Sequence, residues 1–112
     1  MGLDQWREVV GSWGNETFPA STPQTIIAHL REEIEELAAE ITITPPGSDI
    51  SCVVEESADC FLLLLHLAHR YGFSLQQASQ DKMDQNRRRR WSTDPEPEGH
   101  FKHVREAVAD GA

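Results

Sequence analysis

Cysteine is scarce in this 112-residue chain, and its placement excludes a disulfide framework. The only two cysteines, Cys52 and Cys60, fall in one predicted helix. Eight residues at a rise of about 1.5 Å place them roughly 12 Å apart, which is too far for an intrachain bridge. We interpret them as small buried apolar residues in a reducing compartment.

Long hydrophobic runs are also missing. The most apolar stretch, "CFLLLLHLA", is far shorter than the roughly 20 residues that a membrane-spanning helix needs. The N-terminal "MGLDQWREVV" has an acid at position 4 and no apolar segment typical of a signal peptide. We therefore expect a cytoplasmic protein with no membrane partner.

Positive charge is in short supply, with 10 Lys and Arg against 19 Asp and Glu and a formal net charge of -9. This balance argues against nucleic acid as the main partner, because a nucleic-acid-binding surface is normally basic. The one local exception is the segment "NRRRRW" at 86–91.

Strand-like alternation is absent, and helical periodicity dominates the chain. The length predicts one domain over residues 1–112, and 38% hydrophobic with 26% charged residues is typical of a soluble globular protein. The helical periodicity predicts that this domain is all-α. The first helix should span about 3–13. The second should start at Pro23 after the N-cap Thr22 and run to about 41. A third runs from Asp49 or Ser51 to a C-terminal Gly72. A fourth opens with Ser74 and Gln77 as a capping box and runs toward Trp91. A linker and a short terminal helix within 100–110 follow.

Five glutamates lie in "REEIEELAAE" at 31–40 of the second helix. On a helical wheel of about 100° per residue, they divide between two faces. Glu32 and Glu35 face water, whereas the others flank an apolar stripe predicted to be buried. The flanking acids are Glu33, Glu36 and Glu40, and the stripe is Leu30, Ile34, Leu37 and Ile41.

The third helix repeats this arrangement, because Glu56 and Asp59 share a stripe with Leu63, His66 and Arg70. Two helices joined by a short Pro-Pro-Gly loop should pack antiparallel. Their acids then form one cluster, consisting of Glu33, Glu36, Glu56 and Asp59. Divalent cations that prefer oxygen remove the repulsion within such a cluster, so we predict Mg²⁺ or Mn²⁺. No Cys/His spacing indicates zinc.

The fourth helix carries Lys82, Asn86 and Arg89 at i, i+4 and i+7, which is one helix face. These residue types bind phosphate oxygens. Arg87 is assigned instead to the helix dipole. An acidic cluster together with a basic stripe predicts a metal-dependent enzyme acting on a phosphate ester or anhydride.

Contacts to a nucleobase are less well marked in the sequence. Trp13 and Phe18 are candidate stacking surfaces, with a core role as the alternative. His29 is a candidate nucleotide contact, with a plain surface histidine as the alternative. His66 and Arg70 are candidate partners of the acids on their stripe.

These motifs resemble a known family. "EEIEE", then "EESAD", then "KMDQNRRRRW" resemble the ExxE, ExxD and Lys/Asn pattern of the all-α nucleoside triphosphate pyrophosphatases, the MazG-like superfamily. "WGNETF", "HLREEIEEL", the N-x-x-R-x-W ending and "HVR" resemble its compact phage-type dATP/dGTP pyrophosphohydrolases, the MazZ-like group. The resemblance spans about 13–105.

The resemblance implies a four-helix bundle of antiparallel helices with a short N-terminal helix and a C-terminal segment. It also implies cleavage between the α and β phosphates of a dNTP, with a purine preference for dGTP or dATP, to give dNMP and pyrophosphate. Two or more Mg²⁺ or Mn²⁺ ions per site, a homodimer or homotetramer, and the host cytoplasm for a phage-encoded chain are implied as well.

In the predicted mechanism, Glu36 acts as general base, and Glu33 is the other candidate catalytic carboxylate. A di-iron bundle is rejected because neither Glu33 nor Glu56 is followed by His at the required spacing. A non-catalytic acidic adaptor for a basic partner stays open, and it predicts that Glu32 and Glu35 matter as much as Glu33 and Glu36. The base, the sugar, the number of ions and the identity of the general base also stay open.

Overall fold

The computed structural model describes residues 1–91, 93, 101 and 103–104. Four helices dominate it, which confirms the all-α prediction. They are α1 (Leu3–Thr17), α2 (Pro23–Ile43), α3 (Ser51–Tyr71) and α4 (Leu75–Arg88). The strands β1 (Arg90–Trp91) and β2 (His103–Val104) pair antiparallel, with Trp91 opposite His103. Among the described residues, no helix combines the length and the apolar character needed to cross a membrane.

The chain divides into two compact units, 1–75 and 76–112. The first unit contains α1, α2 and α3, with α3 packed against both of the others. The second unit contains nearly all of α4 together with the strand pair.

The start of α2 follows from local chemistry, as predicted. The Thr22 side chain accepts a hydrogen bond from Thr25 N at 3.2 Å, while Thr25 Oγ1 accepts one from Thr22 N at 2.9 Å. Pro23 occupies the first helical position, where its missing N–H costs nothing. The helix extends two residues beyond the predicted end, to Ile43.

The bounds of α3 are also those predicted. Asp49 Oδ1 accepts hydrogen bonds from Ser51 N at 3.0 Å and Ser51 Oγ at 2.6 Å at the start of the helix. Gly72 ends the helix with φ 72°, a left-handed conformation that side chains disfavour.

Two glycines allow α1 to lie close against α3. A Cβ added to Gly11 would lie 2.0 Å from His69 Cγ, and one added to Gly14 would lie 2.7 Å from His66 Cε1. Since the residue numbers rise on one helix as they fall on the other, α1 and α3 run antiparallel. Arg7 extends this register by donating from Nη1 to the Phe73 carbonyl at 2.7 Å.

The buried hydrophobic side chains lie mainly where α3 meets its neighbours. They are Val10, Ile26, Leu30, Leu65 and Ala68, and both Leu65 and Ala68 are 0% exposed. The predicted buried stripe of α2 is wrong at two of its positions, because Ile34 is 48% and Ile41 58% exposed. Cys52 is exposed as well, so its interpretation as a buried residue is wrong, although both cysteines are free thiols.

The second unit departs from the sequence prediction in two places. Helix α4 ends at Arg88 rather than near Trp91, because Trp91 belongs to β1 and its indole Nε1 donates to the Asn86 carbonyl at 3.1 Å. His103 and Val104, predicted to be helical, form β2. Nearly all of the remaining predicted linker and terminal helix lies outside the described residues.

Candidate active site

The antiparallel pairing of α2 and α3 brings together acids that are far apart in sequence. One carboxylate oxygen from each of Glu33, Glu56 and Asp59 lies within 4.8 Å of the other two. All three side chains are partly buried. The structure therefore assembles three of the four acids of the predicted cluster within the span of one cation and its ligands.

Glu36, the fourth predicted acid, is exposed and lies near this group. Burial and the neighbouring carboxylates of Glu33 and Glu36 raise the pKa of Glu56 to about 7. Glu36 differs from the three partly buried acids because it lies at the water-facing side of the cluster. Glu32 and Glu35 are exposed as predicted.

The cluster fits a divalent cation on its own chemistry. The Oε2 atoms of Glu33 and Glu56 are buried, and neither has a hydrogen-bond partner within the described part of the chain. Buried carboxylate oxygens without donors are costly, and a bound cation removes that cost. A donor set made only of oxygen matches the preference of Mg²⁺ and Mn²⁺.

His29 contacts the cluster through Glu33. Its Nε2 lies 3.1 Å from Glu33 Oε1, one helical turn along α2. The histidine is 53% exposed, whereas the Glu33 side chain is only 14% exposed. This contact fixes one oxygen of Glu33 and leaves the buried Oε2 for the cluster.

An apolar groove with a volume of about 810 Å³ adjoins the cluster. Glu33 and Asp59 line it together with residues of α1, among them Trp6 and Trp13, and Phe18 just after that helix. A volume of this size suits a small organic ligand. The groove and the carboxylates therefore form one continuous site within the first unit.

The aromatic pair expected to serve as stacking surface or core is exposed. Trp13 is 59% and Phe18 52% exposed, and their ring centroids lie 5.7 Å apart at an interplanar angle of 86°. The core alternative is therefore wrong for both residues. Each presents an aromatic surface to the groove.

Sequence reasoning missed Asn15, which binds His66 behind the wall that His66 contributes to the groove. His66 Nε2 lies 3.0 Å from Asn15 Oδ1, and Arg70 Nη1 donates to the same oxygen at 3.3 Å. His66 is only 6% exposed, and burial, together with the nearby Arg70 and His69 side chains, lowers its pKa. The sequence analysis predicted that His66 and Arg70 are partners of the acids on their stripe. In the structure both side chains contact Asn15 instead. The signal that could have found Asn15 is the pair of glycines in "GSWGN", which brings α1 against α3.

The predicted basic residues lie in the second unit, and one of them does not fit the predicted pattern. Arg89 lies beyond the end of α4, so it does not share a helix face with Lys82 and Asn86. Lys82 Nζ donates to Gln85 Oε1 at 3.1 Å. Arg87, assigned to a structural role, pairs with Asp84 at 3.1 Å.

A helical fold with a carboxylate cluster beside an apolar groove is the arrangement of an all-α nucleotide pyrophosphohydrolase. Residues 6–111 match the sequence model of the dATP/dGTP pyrophosphohydrolase family, and the chain belongs to that family. The predicted family resemblance is confirmed, and the chain is a hydrolase with dNTP pyrophosphohydrolase activity. The non-catalytic adaptor is not supported.

A solved structure supports the same assignment. The chain is similar to the cyanophage S-2L MazG-like pyrophosphohydrolase bound to dGDP and three catalytic Mn²⁺ ions per active site. The TM-score is 0.74 and the identity 27%, over 96% of this chain and 97% of that one. No curated protein matches the chain.

Proposed function

We propose that this chain hydrolyses purine deoxynucleoside triphosphates between the α and β phosphates, releasing dNMP and pyrophosphate. The observation that carries the proposal is the convergence of Glu33, Glu56 and Asp59 at the edge of the apolar groove. The family of dATP/dGTP pyrophosphohydrolases and the dGDP bound by the similar cyanophage enzyme support a purine deoxynucleotide as substrate.

Glu33, Glu56 and Asp59 hold Mn²⁺ or Mg²⁺ through their carboxylate oxygens, and Glu36 completes the set. More than one ion per site is supported by the three Mn²⁺ ions of the cyanophage enzyme. Such ions supply positive charge to the triphosphate and increase the acidity of the attacking water. The two buried Oε2 atoms are the chain's own evidence for this role.

The remaining steps belong to side chains of the protein. A carboxylate oxygen of Glu36 accepts the proton of the attacking water, because Glu36 is the acid of the cluster that is open to solvent. Trp13 and Phe18 cover the apolar part of the nucleoside and keep water away from it. Lys82, Asn86 and Arg89 stay predicted ligands of phosphate oxygens, on the strength of their donor chemistry.

A substrate panel with matched variants tests this proposal. Purified protein with Mn²⁺ or Mg²⁺ is given each dNTP and GTP, and the products are separated as nucleotide, pyrophosphate and phosphate. Glu56→Gln and Asp59→Asn should abolish turnover while the helical circular dichroism stays intact. Glu32→Gln and Glu35→Gln, which change exposed acids of α2, should keep it. Release of dNDP and phosphate, or full activity of the first two variants, would refute the proposal.

We also propose that the chain assembles as a homodimer or homotetramer. Several large apolar side chains on α2 and α3 are exposed, with Ile41 at 58%, Val54 at 57% and Phe61 at 40%. Burying such a surface against a second copy is favourable. Light scattering after size exclusion should give a multiple of 12.6 kDa, and Ile41→Glu should reduce it. A monomer at micromolar concentration would refute this assembly.

A further inference from the structure

Two similar histidines lie at the contact between α1 and α3, but only one of them lines the groove. His69 packs against Gly11 and His66 against Gly14, one turn apart on each helix. His69 Nε2 lies 3.5 Å from Glu8 Oε2, so its polar partner is an exposed acid. His66 is buried, pairs with Asn15 and forms part of the groove wall.

The hydrogen bonds around Asn15 determine which nitrogen of His66 carries the proton. Arg70 can only donate, so the atom of Asn15 that it contacts at 3.3 Å must be the amide oxygen. An amide oxygen can only accept, and His66 must therefore donate to it from Nε2. Burial lowers the pKa of His66 and keeps the ring neutral near pH 7. In this tautomer Nδ1, which lies beside Gly14 where both residues line the groove, carries a lone pair and can accept a hydrogen bond.

The position of His66 relative to the acids matches the length of a nucleotide. It lies seven residues after Asp59 on α3, which is about 10.5 Å along the helix. With the phosphates beside Glu33 and Asp59, a base lying along the groove reaches the wall that His66 forms. Most of the residues that line the groove are apolar, so an acceptor in its wall selects among bases.

We propose that His66 is a specificity-determining residue, whose Nδ1 accepts a hydrogen bond from an exocyclic amino group of the purine base while Asn15 fixes its tautomer. This inference rests on the proposed function, because it places the base of a dNTP in the groove. The inference distinguishes bases by one chemical group, because guanine and adenine each carry an exocyclic amino group, whereas hypoxanthine and unsubstituted purine carry none.

Substitution of His66 by Gln or by Asn distinguishes the roles of its two ring nitrogens. In His66→Gln the longer amide reaches the position of Nε2 and keeps the bond to Asn15, but it leaves no acceptor at Nδ1. In His66→Asn the shorter amide places its oxygen near Nδ1. His69→Gln is the matched control, because His69 packs against α1 in the same way and does not line the groove.

The experiment measures kcat and KM for dGTP against dITP and for dATP against the triphosphate of purine deoxyriboside. We expect the wild-type protein to favour at least one amino-bearing substrate by about tenfold in kcat/KM, mainly through KM. The ratio of kcat/KM for the amino-bearing substrate to that for its partner without the amino group should fall to about one in His66→Gln. It should recover in His66→Asn and stay unchanged in His69→Gln.

The outcomes separate this role from the reaction itself. A structural role for His66 would lower turnover of both members of each pair equally and leave the ratios at the wild-type value, which would overturn the inference. Equal rates for both members of each pair in the wild-type protein would also overturn it. No hydrolysis of any triphosphate would instead overturn the proposed function on which it rests.

Discussion

The close contact of α1 with α3 makes Gly11→Ala a direct test of how this fold is held together. Alanine is the better helix former by about 1 kcal/mol, so local propensity alone predicts a gain in stability. The added Cβ, however, would lie 2.0 Å from His69 Cγ and 2.4 Å from His69 Cβ. Rotation about the Cα–Cβ bond of His69 can move Cγ and the ring, but it cannot move Cβ, so the helices themselves must separate.

The size of the effect follows from these two opposing contributions. Overpacking of this kind costs about 1–3 kcal/mol, and the stem contact places Gly11 at the upper end. After subtraction of the propensity gain, we expect a net loss of about 2 kcal/mol in the free energy of unfolding. For a domain of this size that corresponds to a fall in Tm of roughly 8 °C.

Urea unfolding followed by circular dichroism at 222 nm measures this loss. Ser12→Ala, at the exposed neighbouring position, controls for propensity and should raise stability slightly. Adding His69→Ala to Gly11→Ala removes the clashing ring and should recover part of the loss. If Gly11→Ala were as stable as wild type, the close contact between the two helices would not exist as described.

Two further predictions concern histidines. Replacing His29 by Leu removes the partner of Glu33 Oε1 and should weaken Mn²⁺ binding by about 10–100-fold in a calorimetric titration. Arg31→Ala, at an exposed position on α2, is the control and should not weaken it. Equal Mn²⁺ affinities of His29→Leu and the wild-type protein would contradict a role of His29 in positioning Glu33. The pKa of His66 is lowered from about 6.5 by burial and by Arg70 and His69, so its contribution to stability is present above pH 6.5 and is lost as the pH falls. His66→Gln should therefore flatten the decline of Tm between about pH 7 and pH 5, and an unchanged profile would show that His66 does not titrate in this way.

Much of the fold could be predicted because its signals are local. Thr22 and Pro23 mark the start of α2 within a few residues, and Gly72 marks the end of α3 through a backbone conformation that side chains disfavour. The acids of the cluster could be predicted for a related reason. Their i, i+3 spacing puts Glu56 and Asp59 on one face of a single helix.

What the sequence did not reveal depends on contacts between distant residues. Asn15 and His66 are separated by 51 positions, and no periodicity within either helix indicates that they meet. The exposure of Ile34 and Ile41 was missed because a helical wheel identifies an apolar face without identifying what covers it. Helix α4 was predicted too long because the two-residue strand containing Trp91 depends on a partner 12 residues further on.

The contact between His66 and Gly14 has an evolutionary consequence. One ring both fills the space left by a missing side chain on α1 and faces the groove, so a substitution there alters two properties at once. A lineage drifting toward a different base cannot redesign this wall freely, because a smaller residue opens a void and a larger one forces the helices apart. Change is cheaper at the exposed aromatics that also line the groove, Trp13 and Phe18, and related enzymes of other preference should differ there first.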